Sequence, residues 1–139
     1  MRKMKIVLLL MACATAGSIA IADPLPVSDA AAEQAQYKRG KLLFIQCRAC
    51  HELQAGQPDK IGPNLSGLLG RKVAAQENFS YSPALRAASF VWDAATLNRW
   101  IEKPGAVVPG NAMAFAGIVD PKDRAALLAY LQRAAGSTK

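Results

Sequence analysis

The sequence predicts a small all-α domain of about four to five helices joined by long loops. Three features predict it. Apolar residues recur with helical spacing in segments bounded by capping residues and prolines. No segment alternates as a strand does beside a partner. Glycine and proline crowd the intervening stretches too densely for regular structure. The 139 residues suffice for one domain with one modest core. No internal repeat is present.

Residues 1–22 stand apart from this domain. Arg2, Lys3 and Lys5 form a positive start, followed by an apolar run from Ile6 to Ile21. Ala20-Ile21-Ala22 places small residues where a signal peptidase reads them. The segment reads as a secretory signal peptide, with cleavage expected after Ala22. Two alternatives stay open. The run could be kept as an anchor, or Leu10-Met11-Ala12-Cys13 could act as a lipoprotein box lipidated at Cys13.

Residues 23–37 read as a lead-in plus the start of the first helix. Pro24 and Pro26 keep the lead-in extended, and Ser28 or Asp29 is the expected N-cap. The first helix is expected from Asp29 to Cys47, with Leu43, Phe44 and Cys47 on its apolar side. Glu52 to Gly62 is polar and reads as loop. Leu65 to Gly70 allows one short turn. Ser82 or Pro83 to Ala88 reads as a short helix. Asp93 caps a helix from Ala94 to Glu102, with Leu97, Trp100 and Ile101 on one face and Pro104 as its stop. Gly105 to Gly117 is expected to be an extended loop. Asp120-Pro121 opens the last helix, a cap followed by a proline at the first helical position. That helix runs to about Ala135 and is expected to bury Leu127, Leu128 and Leu131. The domain proper is expected over residues 38–135.

Charge narrows the function. The chain carries a formal +7. Loss of residues 1–22 removes three basic residues and no acidic one, leaving +4. No basic cluster is interleaved with aromatics, so nucleic-acid binding is not indicated.

The chemistry concentrates at Cys47-Arg48-Ala49-Cys50-His51. C-x-x-C-H is the attachment pattern of haem c. Two thiols three residues apart lie on one face of a helical turn. Each can add to a vinyl group along one porphyrin edge, and the adjoining imidazole is offered to the iron. The competing uses fit less well. A thioredoxin-type pair belongs in a βαβ unit, and none is legible. A structural zinc site needs four ligands, but His51 is the single histidine and only two cysteines follow residue 22. A plain disulfide ignores the histidine. Export would also supply the compartment where haem attachment occurs.

With one histidine, bis-histidine ligation is excluded. Met113 is the one methionine outside residues 1–22. It sits in Pro109-Gly110-Asn111-Ala112-Met113-Ala114-Phe115, a loop free to deliver sulfur to iron. The alternative for any methionine is core filler. His51 and Met113 together would fill both axial positions and raise the reduction potential. That arrangement suits single-electron transfer and blocks access to the iron. A labile sixth position would instead mark a haem enzyme or gas sensor. The long stretch from Glu102 to Gly117 also needs something to organise it, so a cavity is expected beside His51 and Met113.

These residues, with Gly40…Phe44, Gly62-Pro63-Asn64-Leu65…Gly67…Gly70-Arg71, Tyr81, Trp92, Pro104, Phe115-Ala116-Gly117 and Tyr130-Leu131, resemble the class I cytochromes c. The likeness is to the mitochondrial type and its soluble bacterial relatives, and it spans about Gly40 to Leu131. It implies the cytochrome c fold around one haem c, bound through Cys47 and Cys50, in a non-enzymatic electron carrier. It implies that the Pro63 carbonyl accepts a hydrogen bond from His51, and that Arg71, Tyr81 and Trp92 serve the haem propionates. Gly40 and Phe44 should meet Leu127 and Tyr130 where the first and last helices cross. Two departures concern the site. Trp100 stands where the mitochondrial type has a tyrosine beside the sulfur, and Asn111 stands where it has a threonine. A third concerns partners. The family docks redox donors and acceptors with lysines around the haem edge, but Gly105, Ala106, Ala112 and Val119 hold several of those places. Lys41, Lys60 and Lys72 remain. The resemblance therefore implies a shuttle that meets its redox partners transiently, through fewer ion pairs; export by the signal peptide would place it in the periplasm, touching a membrane only through those partners unless the N-terminus is kept as an anchor.

Overall fold

The computed structural model describes residues 28–136. The signal peptide expected over residues 1–22, the Cys13 alternative and the prolines of the lead-in lie outside the described residues. Six helical segments follow in order: α1 (Asp29–Leu43), α2 (Ile45–Arg48), α3 (Pro83–Ala87), α4 (Ala94–Glu102), α5 (Pro104–Val107) and α6 (Pro121–Ala134). No helix among the described residues is long and apolar enough to cross a membrane. The fold is all-α.

The capping residues start the helices as their chemistry dictates. The Ser28 hydroxyl accepts from the Ala31 amide at 3.3 Å, and Ser82 accepts from Leu85 at the start of α3. The Asp93 carboxylate accepts from the Thr96 amide at 2.7 Å. That bond, ahead of all other influences, holds the Asp93 carboxyl below its usual range. Asp120 accepts from the Lys122 amide ahead of α6. Each bond satisfies an amide that the first helical turn leaves without a partner.

Four differences from the sequence reading have local causes. The first helix does not run unbroken to Cys47. Phe44 stays in the right-handed region, with φ −64° and ψ −16°. Its carbonyl accepts from both Cys47 and Arg48 at 2.9 Å, so the helix tightens by a step before resuming as α2. The stretch after Glu102 is not entirely loop. Pro104 ends α4 and, lacking an amide hydrogen, suits the first position of the next turn; α5 results. The loops also pair more than expected. Lys72 and Val91 form an isolated antiparallel bridge, flanked by bonds from Val73 to Phe90 and from Trp92 to Arg71, both 2.9 Å. Lastly, Leu128 on α6 is half-buried, whereas Arg124 is buried beside Leu127 and Leu131. Positions 124, 127 and 131 share one helical face, and Leu128 lies at its margin.

The core is laid across the crossing of α1 and α6. Gly40 permits it: a Cβ there would overlap the Ala126 carbonyl and stand 2.7 Å from the Tyr130 Cβ. Phe44 packs on Tyr130 with ring centroids 5.4 Å apart, and Leu127 is 1% exposed. On α4, Leu97, Trp100 and Ile101 are all buried. The core opens on a cavity that Phe44, Leu97, Trp100, Ile101 and Leu127 themselves help to line.

Candidate functional site

The cavity measures about 320 Å³. All ten residues singled out from the sequence line it: Cys47, Cys50, His51, Pro63, Arg71, Tyr81, Trp92, Trp100, Asn111 and Met113. Five parts of the chain bring them together. α2 and the turn after it bring Cys47, Cys50 and His51. The loop before the bridge supplies Pro63 and Arg71, and the segment just ahead of α3 supplies Tyr81. The bridge and α4 bring Trp92 and Trp100, and the loop after α5 carries Asn111 and Met113.

The cysteine–histidine turn is held from several sides. The His51 amide donates to the Cys47 carbonyl at 2.9 Å, and the Gly62 amide donates to the Cys50 carbonyl at 2.8 Å. The Lys60 ammonium donates to the Arg48 carbonyl at 3.1 Å and forms an ion pair with Glu52. The His51 ring lies with Nδ1 2.8 Å from the Pro63 carbonyl oxygen. A carbonyl can only accept, so Nδ1 carries the hydrogen and Nε2 keeps its lone pair. Burial pushes the His51 pKa down, which favours this neutral form. Gly62 is required against the ring. A Cβ there would meet all three of Cε1, Nδ1 and Nε2, the last at 2.9 Å. The sequence marked Gly62 only as a loop residue, because a close approach across eleven residues leaves no local signal.

Cys47 and Cys50 are free and half-buried. Burial, with the neighbouring Cys50 adding to it, pushes the Cys47 thiol up to about 11.

Met113 reaches the cavity through a turn built by Asn111. The Asn111 side chain donates to the Val108 carbonyl at 2.8 Å and accepts from the Met113 amide at 3.0 Å. Arg71 donates to the Asn64 and Ser66 carbonyls at 3.0 and 3.1 Å. Tyr81 and Trp92 are buried, and the Trp92 and Trp100 rings meet edge to face at 5.2 Å. Phe79 and Leu85 also line the cavity. Sequence reasoning missed them because neither belongs to a legible helical face.

The matching family model is that of cytochrome c, over residues 37–135. The chain belongs to the cytochrome c family. It is similar to a cytochrome c of Cochliobolus lunatus, 41% identical over 73% of this chain and 94% of the relative. It is also similar to the cytochrome c2 of Rhodomicrobium vannielii, 38% identical over 67% of this chain and 74% of that relative. The cytochrome c2 iso-1 of Magnetospirillum molischianum is 45% identical over 64% of this chain and 90% of its own length. Membership makes the chain an electron carrier, not an enzyme, with one haem c joined through Cys47 and Cys50. The cavity fits that group. Two free thiols stand on one turn in its wall, and leucine and aromatic side chains line the rest.

Proposed function

We propose that the chain is a soluble periplasmic one-electron shuttle whose haem iron is held between His51 and Met113. The observation that carries this reading is the state of the histidine. Pro63 occupies Nδ1, so the Nε2 lone pair is the free donor of the ring. Met113 lines the same cavity, in a turn braced by Asn111. A bound haem supplies a reversible single-electron couple. Around it, Cys47 and Cys50 fasten one edge, while Arg71, Tyr81 and Trp92 serve the propionates. Trp100 and Leu97, in the cavity wall, would help keep water from the group. The test is the sulfur-to-iron band of the oxidised protein, together with the absence of carbon monoxide binding by the reduced protein at neutral pH.

Export is supported by the positive start, the apolar run and the Ala20-Ile21-Ala22 site. Amino-terminal sequencing of the exported protein is expected to begin at Asp23. A start at Met1, or a lipid on Cys13, would overturn the cleavage.

The rim of the cavity supports docking with few ion pairs. Gln46, Ile61, Ala112, Ala114 and Phe115 all line it, and Ile61 is 82% exposed. Lys60, one of the lysines expected to steer partners, is already engaged by Glu52 and the Arg48 carbonyl. Bimolecular electron transfer with membrane oxidoreductases is therefore expected to change less than about threefold from low to high ionic strength. A change of tenfold or more would show that charge governs the encounter.

A further inference from the structure

We propose that Arg124 is a positioning residue for Met113, its buried guanidinium fastening the end of the methionine-bearing loop to α4 and α6. The inference rests on the reading of Met113 as the second iron ligand.

Arg124 is 7% exposed. A charge withdrawn from water must be met by partners, and the partners found here are specific. Nη1 donates to the Ile118 carbonyl at 2.9 Å and to the Val119 carbonyl at 2.7 Å. Nε donates to the Asn98 side-chain oxygen at 3.1 Å. The Glu102 carboxylate stands 3.5 Å from Nη1. One side chain on α6 thus grips two consecutive carbonyls at the end of the loop and two side chains on α4.

The loop is anchored at its two ends. It leaves α4 through Lys103 and Pro104, and it returns where the Ile118 amide donates to the Ile101 carbonyl at 2.9 Å. The bonds inside it are short-range. Asn111 bonds Val108 and Met113, and the Phe115 amide bonds the Met113 carbonyl. They shape the turn that presents the sulfur but do not tie it to the rest of the domain. α4 also carries Trp100 and Leu97 into the same cavity. Arg124 therefore sets the loop end relative to the helix that forms the wall beside it. Its planar fork can span several acceptors from one position, which a lysine ammonium does less well.

The test compares two unfolding curves of the oxidised holoprotein in urea. One follows the sulfur-to-iron band and the other follows helix content. In Arg124→Met, the Ile118 and Val119 carbonyls lose their charged partner. Loss of hydrogen bonds to a charged group favours loop release by about tenfold or more. The band is expected to disappear at clearly lower urea than the helices, with a wider gap than in the wild type. Arg124→Lys should narrow the gap, and Asn98→Leu should widen it slightly. Val73→Ala, a core change outside the cavity lining and outside the loop, should shift both curves together. Should Arg124→Met fail to fold, Arg124→Lys and Asn98→Leu carry the comparison. If Arg124 variants lower both curves in parallel, as Val73→Ala does, the residue is merely structural and the proposal is overturned. A wild type without the band would overturn the Met113 reading itself.

Discussion

Replacing Met113 with Ala is expected to abolish the sulfur-to-iron band while leaving the haem covalently attached. Attachment depends on Cys47 and Cys50, which sit on a separate turn and do not need the sulfur. On the proposed ligation, loss of the thioether removes the ligand that favours the reduced state. The reduction potential should therefore fall by on the order of 0.1 V, a fraction of the range that axial ligation spans. The sixth position opens at the same time, because alanine leaves space where the thioether lined the cavity. The reduced variant should then bind carbon monoxide at neutral pH, while the wild type should not. Optical titration measures both effects. A variant that keeps the band, or a wild type that binds carbon monoxide as readily, would remove Met113 from the iron.

The second large effect is expected at Gly40. Gly40→Ala should destabilise the holoprotein by about 2–3 kcal/mol, even though alanine is favoured over glycine inside a helix by about 1 kcal/mol. The reason is the atom that the new methyl meets. It would overlap the Ala126 backbone carbonyl, and the Tyr130 Cβ lies 2.7 Å away. Neither can rotate clear as the end of a flexible side chain could. The helices must therefore separate, which loosens Phe44 against Tyr130 and uncovers Leu127. Gly40→Val should cost more still. Urea unfolding followed by helix content measures the change, and an Ala variant as stable as the wild type would show that the crossing has slack. The sulfur-to-iron band should survive in Gly40→Ala below its unfolding transition, because the crossing does not hold the methionine loop.

The two predictions separate what is local from what is not. The motif from Cys47 to His51 was legible because its geometry is short-range: the i, i+3 spacing places the thiols on one turn whatever surrounds it. The caps at Ser28, Asp93 and Asp120 were legible for the same reason, since each bonds an amide two or three residues away. The break at Phe44, the turn after Pro104 and the bridge between Lys72 and Val91 were not. Each depends on where the chain goes next, and the bridge joins residues far apart in sequence. Arg124 was read as part of a helix with no particular role. A charged residue carries no apolar signal, so its burial could be found only once Ile118, Val119 and Asn98 had been brought around it.

By itself the sequence determined the helical class, the haem attachment turn, the family resemblance and that Met113 is the one methionine outside residues 1–22. These follow from residue type and short spacing, which the chain carries in any conformation. Only the tertiary structure decided that the ten candidate residues line one cavity, that Pro63 leaves Nε2 as the donor of His51, that Lys60 is engaged, and that a buried arginine holds the end of the methionine loop. Those facts depend on backbone atoms meeting across long stretches of chain, and carbonyls and amides are the same at every position. Their partners are chosen by packing, and packing exists only in the folded molecule.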